Sequence, residues 1–190
     1  MPDVFRVLGA DHAEVKQMLL ALENSPGNSE GAGRTVLAAR YEVVQRLVID
    51  SSRHEAAEEQ YFWPVVREKL GNGNSLADEA IAQEQEAKEV LARLEKLEPA
   101  DDEFDELIAG LIPAARQHIE FEETRVWPDL RVALSPGEAQ ELGDKVQKAR
   151  ERGPTRPHPR TPPNPKVLKS VGPAIAVTDK LRDAVAGRGT

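Results

Sequence analysis

Apolar residues recur at intervals of three and four along four long stretches of the first 132 residues. Such spacing puts them on one face of an α-helix and predicts four helices that bury that face. We place these helices at about residues 3–23, 35–70, 76–97 and 103–132. Short connections join them, so neighbouring helices should be antiparallel. The pattern therefore predicts an all-α fold, an up-down-up-down four-helix bundle.

Local signals suggest where these helices begin and bend. Asp3 is a suitable N-cap for the first helix, and Ser75 with Asp78 has the spacing of a capping box for the third. Pro64 and Pro113 lie inside helical patterns, where each removes a backbone hydrogen bond. We therefore expect both prolines to bend their helices.

The chain changes composition after the bundle. We assign residues 1–132 to the bundle, residues 133–153 to an additional polar helix, and residues 154–190 to a proline-rich linker with a short amphipathic helix. The additional helix begins with Ser135-Pro136 and has Glu138 three residues after the serine, which is typical of a capped helix start.

The final part of the chain has two features of interest. His158 lies among the six prolines of residues 153–165 and is interpreted as a solvated bystander. Residues 173–186 predict a short helix, which either docks on the bundle or binds a partner protein. Its apolar residues lie roughly on one side and are Ile175, Val177, Leu181 and Val185.

One motif occurs twice. Residues 54–64 and 118–128 both read H-x-x-x-E-E-x-x-x-W-P, and together they use half of the four histidines and both tryptophans. An i, i+4 spacing places each histidine and its glutamate on one helical face. A single copy would suggest an ordinary pair of surface neighbours. Two copies with the same flanking residues indicate two halves of a metal site, bridged by Glu58 and Glu122.

The ionisable groups of this motif fall on the apolar face of their helices. His54 and Glu58 continue the stripe of Leu47, and His12 shares the helical phase of Leu8 in the first helix. Taken alone, His12 is best interpreted as a hydrogen-bonded core residue. Buried carboxylates and imidazoles are costly unless they are paired, however, and a cation satisfies several of them at once.

A second internal similarity relates the first and third helices. Residues 11–23 (DHAEVKQMLLALE) align without gaps to residues 83–95 (QEQEAKEVLARLE), which matches Lys16 with Lys88. In this register Glu84 takes the place of His12. A shift of one residue would put Gln85 there, but it would misalign the apolar positions. Glu84 is therefore predicted to be another inward group.

Composition narrows the classes of function. Of the 190 residues, 39% are hydrophobic, which is enough for a core, and the net charge of -8 argues against nucleic-acid binding. The absence of cysteine excludes disulfides and thiolate ligands. The N-terminus lacks a signal-peptide core, and no run approaches the roughly 20 apolar residues of a membrane span. We expect a soluble cytoplasmic protein with no membrane partner.

With these residues, the chain resembles the hemerythrin-like HHE cation-binding family, whose pattern is H…H-x-x-x-E…H…H-x-x-x-E on a four-helix bundle. The resemblance covers about residues 3–132 and includes Asp11 and the Trp-Pro pair after each motif. It implies two non-haem iron ions, bridged by carboxylates and by oxo or hydroxo groups, and a small oxidant such as O₂ or H₂O₂ as the partner. The implied ligands are His12, His54, Glu58, Glu84, His118 and Glu122.

The chain departs from the family at the histidine of the third helix, where Glu84 stands instead. Three carboxylates favour ferric over ferrous iron, because an anionic ligand stabilises the higher charge. We therefore expect reduction of peroxide or O₂, with catalase- or peroxidase-like activity, or a redox response, ahead of reversible O₂ carriage. The alternative is an oxygen- or redox-sensing or O₂-binding regulatory bundle without turnover, in which residues 173–186 signal to a partner.

Three further interpretations bear on the site. Tyr61 lies on the same helical face as His54 and Glu58. It is interpreted either as a phenolate ligand, as a residue next to the ligands, or as an ordinary packed tyrosine. A ferritin-like ferroxidase would carry Glu-x-x-His, which is a different order from the one found here. A metal-free interaction module would leave six inward ionisable groups unpaired.

Overall fold

The computed structural model describes residues 2–186, and within that range it is helical and contains no β-strand. The predicted all-α bundle is confirmed. A short 3₁₀ turn at Asn28–Glu30 follows the first helix. The α-helices are α1 Val4–Glu23, α2 Arg34–Ala57, α3 Trp63–Lys69, α4 Gly73–Leu94, α5 Asp102–Phe121, α6 Trp127–Ala133, α7 Pro136–Arg152 and α8 Pro165–Ala186.

The second and fourth predicted helices are each interrupted by one π-helical turn. Glu58–Phe62 joins α2 to α3, and Glu122–Val126 joins α5 to α6. Each turn begins at the first glutamate of the repeated motif and ends just before its tryptophan. The following prolines, Pro64 and Pro128, thus lie in the first turn of a new helix, where a missing N–H is tolerated. Pro113 lies within α5, which continues through it.

Two of the three predicted helix caps are found in the structure, and one is not. Asp3 caps α1 by accepting a hydrogen bond from the Arg6 backbone N–H at 2.8 Å, and Ser135 forms the expected capping box of α7. The predicted box at Ser75 is wrong, because α4 begins at Gly73. A Cβ atom on Gly73 would lie 2.1 Å from the Val66 carbonyl oxygen, so a glycine lets the chain turn tightly from α3 into α4.

A layer of buried polar residues separates two apolar clusters in the bundle. One cluster lies around Phe5, Phe62 and Trp63, and the other around Leu47 and Phe104. Buried ionisable groups lie between these clusters, on α1, α2 and α4 and in the two π turns. These groups are Asp11, His12, His54, Glu55, Glu58, Glu59, Glu84, Lys88 and Glu122. The repeated motif therefore lies in the middle of the bundle.

The last helix docks on the bundle, as one of the two alternatives expected, but through the opposite face. Helix α8 buries Leu168 and Ala176 and packs against the π turn Glu58–Phe62. The predicted apolar side is wrong, because Val177 is 59% exposed and Leu181 is 64% exposed. The side chain of Val185 lies outside the described residues.

Polar contacts explain why α8 is oriented in this way. Asp179 and Asp183 are fully buried, and the segment before the helix donates to both of them. The Thr155 backbone N–H donates to Asp179 at 3.2 Å, and Arg156 donates to Asp183 at 2.8 Å. His158 is not the solvated bystander that we expected, since its Nε2 lies 2.8 Å from Asp179 Oδ2. No helix among residues 2–186 is long and apolar enough to cross a membrane.

Candidate metal centre

The polar layer brings all six predicted ligands together in two overlapping groups. His12, His54, Glu58 and Glu122 form the first group, and Glu58, Glu84, His118 and Glu122 form the second. Within each group, one ligand atom from every residue lies within 4.8 Å of the others. Glu58 and Glu122 belong to both groups, as expected of bridging carboxylates. Glu84, and not Gln85, reaches the cluster.

Each histidine directs its Nε2 atom at a glutamate of the cluster. The distance from Nε2 to the nearest carboxylate oxygen is 3.2 Å for His12 to Glu122, 3.1 Å for His54 to Glu58, and 3.2 Å for His118 to Glu122. The two pairs within one helix are the i, i+4 pairs of the repeated motif. Helical spacing alone therefore positions half of each group.

The opposite ring nitrogen of each histidine is held by a second side chain. His12 Nδ1 donates to Glu123 at 3.0 Å, and His118 Nδ1 donates to Gln83 at 3.0 Å. His54 Nδ1 donates to Asp11 at 3.2 Å. A proton on Nδ1 leaves Nε2 with a lone pair, which is the form of imidazole that binds a metal ion.

Several buried polar atoms of this layer have no hydrogen-bond partner among the described residues. They include Nε2 of His12 and of His118, both carboxylate oxygens of Glu58 and of Glu122, and one oxygen of Glu84. Unpaired buried groups of this kind are costly, and a divalent cation satisfies lone pairs and carboxylates together. Nitrogen and oxygen donors without sulfur suit iron or zinc, among other ions. The residues present therefore fit a metal centre.

The protonation of the carboxylates supports the same conclusion. Burial raises the pKa of Glu58 above its usual value, and the charge of Glu122 adds to the rise. Burial also raises the pKa of Glu84 well above its usual value, and the charge of Glu58 adds to it. Despite its burial, the pKa of Glu122 is instead held below its usual value by the neighbouring histidines. Positive charge therefore decides whether these carboxylates are ionised together, and a bound cation would supply it.

Comparison with known proteins agrees with this geometry. The model of the family described as "Hemerythrin HHE cation binding domain" matches residues 3–130. The chain belongs to the hemerythrin HHE cation-binding family. The matched range contains every residue of the candidate centre and ends within α6.

Individual proteins are similar to this chain over different shares of its length. An uncharacterized hemerythrin-like protein of Schizosaccharomyces pombe is 26% identical over 163 residues, which cover 85% of this chain and 79% of that protein. A DNA nickase of Nostoc sp. is 24% identical over 103 residues, covering 54% of this chain but 29% of the nickase. The crystal structure of a hemerythrin HHE cation-binding domain-containing protein from Mycobacterium kansasii shares the fold, with a TM-score of 0.64 at 20% identity, covering 80% of this chain and 86% of that one.

The two motif tryptophans make different contacts with the centre of this hemerythrin-like bundle. Trp63 Nε1 donates to Glu84 Oε1 at 2.6 Å. Trp127, its counterpart in the second motif, instead stacks on the ring of His12, with a centroid distance of 5.0 Å and an interplanar angle of 12°. The Trp127 Nε1 atom has no hydrogen-bond partner among the described residues. Each tryptophan thus supports the ligand that the other half of the chain supplies.

The second glutamates of the two motifs are also related by the repeat. Glu123 accepts from Lys16 at 2.8 Å, and Glu59 accepts from Lys88. The alignment of residues 11–23 with residues 83–95 matches these two lysines, so the internal repeat extends to ion pairs around the centre. The match between the two lysines is visible in the sequence, but the ion pairs that they form are not.

Other residues that contact the candidate ligands or their hydrogen-bond partners lie outside the repeated motifs, where the sequence did not indicate a role. Arg150 of α7 binds Asp11 at 2.9 Å, and Asp11 in turn holds His54. Helix α7 packs along α1 and α2, with Gly143 so close that a Cβ atom there would lie 2.6 Å from the Pro2 carbonyl oxygen. The additional helix of residues 133–153 therefore helps to orient a candidate ligand.

Tyr61 is half-buried and packs beside the apolar cluster of Phe62 and Trp63. Lys169 of α8 lies over its ring, with Nζ 4.6 Å from the centroid. Packing and a cation–π interaction therefore account for the position of the Tyr61 side chain. Its role as a ligand stays a prediction, as does ligation by the six residues of the two groups.

Proposed function

We propose that this hemerythrin-like chain holds two non-haem iron ions at its candidate centre and reduces hydrogen peroxide, or reduces O₂ with electrons from an external donor. The observation that supports the proposal is the position of Glu84, whose carboxylate joins the cluster at the place that the repeat gives to His12 in the other half. A third carboxylate favours ferric over ferrous iron. Reversible O₂ carriage requires a ferrous pair that is regained, so turnover fits this ligand set better.

The protein's own contribution is a set of donors that are largely buried and held by hydrogen bonds. Glu58 and Glu122 are completely buried and are shared by both groups, so they would hold two metal ions close together. Bonds at Nδ1 fix the orientation of the three histidines, and Trp63 fixes one oxygen of Glu84. Bound iron would supply the change between ferrous and ferric states. Two molecules of hydrogen peroxide give two of water and one of O₂, which requires no outside reductant.

Metal analysis and an oxygen electrode test the proposal. Protein loaded with Fe(II) without air should retain about two irons per chain, because the two groups share two bridging carboxylates. Addition of hydrogen peroxide should then consume it and release O₂. A preparation that holds one zinc ion or no metal would contradict the di-iron centre. A long-lived O₂ adduct that releases O₂ on degassing, without loss of added peroxide, would contradict turnover.

A second candidate function is an oxygen- or redox-sensing bundle without turnover. The docking of α8 on the π turn Glu58–Phe62 favours it, because this turn carries a bridging carboxylate and Lys169 contacts Tyr61 within it. A change in iron state would then alter how firmly α8 packs. Limited proteolysis of the ferrous and ferric proteins tests this idea, and equal cleavage rates within residues 154–190 would contradict it.

A further inference from the structure

A cavity of about 400 Å³ opens directly from the candidate centre. It lies between α1, α2, α4 and α5, and its inner end is formed by His12, His54, Glu84 and His118. The atoms that the metal centre needs therefore form one end of an enclosed space. The function proposed above does not require a space of this size.

The walls of this cavity are largely apolar beyond its inner end. They come from all four helices, and most belong to the apolar cluster around Leu47 and Phe104. The apolar lining residues are Val15, Leu47, Ala87, Val90, Leu91, Leu107, Leu111, Ala114, Ala115 and Ile119. An apolar wall with a polar end is the arrangement that binds small organic molecules.

The cavity is long and is bordered by exposed residues. On α5 its lining runs from Glu106 to Ile119, which corresponds to roughly 20 Å at about 1.5 Å per residue. The exposed lining residues are Glu86, Glu106, Gly110, Ala114 and Gln117, so the cavity opens to solvent along its length between α4 and α5. Two of them are acidic, and the chain carries a net charge of -8. Anions are repelled at such an entrance.

Size separates this cavity from a passage for small oxidants. A molecule of the size of water occupies roughly 30 Å³, and O₂ or hydrogen peroxide is not much larger. Sites for organic ligands typically enclose about 300–1,000 Å³. A volume of about 400 Å³ falls in that range.

We propose that the cavity binds a neutral, unbranched aliphatic molecule that carries one oxygen-bearing end, of the class of medium-chain alcohols. The tail lies against the apolar walls, and the oxygen-bearing end faces the histidines and Glu84. Neutrality follows from the acidic entrance, and an unbranched tail follows from the length of the cavity along α5. Binding of this kind depends on the cavity and does not depend on turnover of peroxide or O₂.

Isothermal titration calorimetry of the full-length protein, purified without added metal, with 1-decanol tests the proposal independently of the proposed iron centre. From 1-butanol to 1-decanol the affinity should rise by roughly fourfold per added methylene, because each is removed from water. Decanoate should bind at least about tenfold more weakly than 1-decanol, because its charge is repelled at the entrance. No heat of binding at any length would overturn the proposal. Equal affinity for decanoate would overturn it as well.

Two substitutions in the cavity wall, about one helical turn from Glu84 and from His118, locate the binding. Ala87→Phe on α4 and Ala114→Phe on α5 each place a ring in the cavity, and each should weaken 1-decanol binding by about tenfold or more. Ala82→Phe is the matched control, because Ala82 is an exposed residue of α4 that does not line the cavity. Thermal unfolding identifies any variant that fails to fold, and the other variant then decides. Unchanged affinity in a folded cavity variant would show that decanol binds elsewhere.

Discussion

The two halves of the candidate centre place their negative charge differently. On the side of His12 and His54, the inner donors are imidazoles, and carboxylates hold them from behind: Glu123 and Asp11. On the other side one inner donor is itself a carboxylate, Glu84. The groups that hydrogen-bond directly to His118 and Glu84 are neutral, since Gln83 holds His118 and Trp63 holds Glu84. The buried charges of this half, Lys88 with Glu59, pair with each other beside them.

This difference shows how a repeat can diverge without losing its site. Apart from the shared Glu58 and Glu122, the first half has neutral imidazole donors that are hydrogen-bonded to carboxylates. The second half has a charged donor, Glu84, that is hydrogen-bonded to the neutral side chain of Trp63. The outer carboxylates are also countered, since Lys16 binds Glu123 and Arg150 binds Asp11. Negative charge has thus moved inward on one side only. We expect the two metal positions to differ in affinity and in reduction potential.

Loss of Glu84 should have the largest effect on this asymmetry. Glu84→Ala removes a donor that no other residue replaces, so iron should fall from about two ions to about one ion per chain. Glu84→His should instead keep both ions and raise the reduction potential, because it removes an anionic donor. Metal analysis and redox titration measure these effects. Gln85→Ala is the control, since Gln85 donates to the Pro159 carbonyl outside the cluster. Unchanged iron in Glu84→Ala would contradict ligation by this residue.

The two tryptophans offer a matched pair of smaller substitutions. Trp63→Phe removes the donor to Glu84, and loss of such an outer bond typically weakens metal binding by about 10–100-fold. Trp127→Phe loses a similar volume but no hydrogen bond, and its ring still faces His12, so affinity should change by less than about threefold. Competition with a chelator measures both. Equal losses in the two variants would show that packing matters and the bond to Glu84 does not.

Neutralising Asp11 tests the charged support of the other half. Asp11→Asn keeps a side chain beside His54 but loses the charge and the ion pair with Arg150, so one iron should bind about tenfold more weakly. Asp78→Asn is the control, because Asp78 forms an exposed pair with Arg67. If the chelator competition gives the same iron affinity for Asp11→Asn as for the unchanged protein, the charge behind His54 has no role.

Removal of residues 154–190 should have the smallest effect on the metal. On the bundle, helix α8 packs mainly against the π turn of the first motif, and every candidate ligand lies before residue 123. Iron content should stay at about two ions per chain, while the midpoint of thermal unfolding falls by roughly 5 °C through lost burial around Leu168. Iron loss from the first half alone would show that α8 closes that half.

The sequence predicted which residues gather at the candidate centre, because these residues obey local rules. His54 with Glu58 and His118 with Glu122 are fixed by helical spacing, and Glu84 follows from an alignment within the chain. The same rules do not reach Arg150 or Gln83, since their contacts depend on how whole helices pack. Helical phase can be read from neighbours in the sequence, but helix pairing cannot.

The end of the chain was predicted least well. Asp179 and Asp183 look like the solvent face of a helix, yet both are buried by donors from residues 155–158. The apolar side of that helix was therefore assigned to the wrong surface. Buried carboxylates require partners, and those partners lie in a proline-rich segment that composition alone indicates to be a solvated linker.

The π-helical turns make the length of each motif as important as its residues. An α-helix advances about 100° per residue, so deletion of one residue such as Gln60 would restore regular winding and swing Trp63 away from Glu84. The exposed Thr124 and Arg125 of the second turn should tolerate substitution, whereas insertions and deletions in either turn should not be tolerated. In distant members of the family, we expect the number of residues between the glutamate pair and the tryptophan to be conserved more strongly than the identity of those residues.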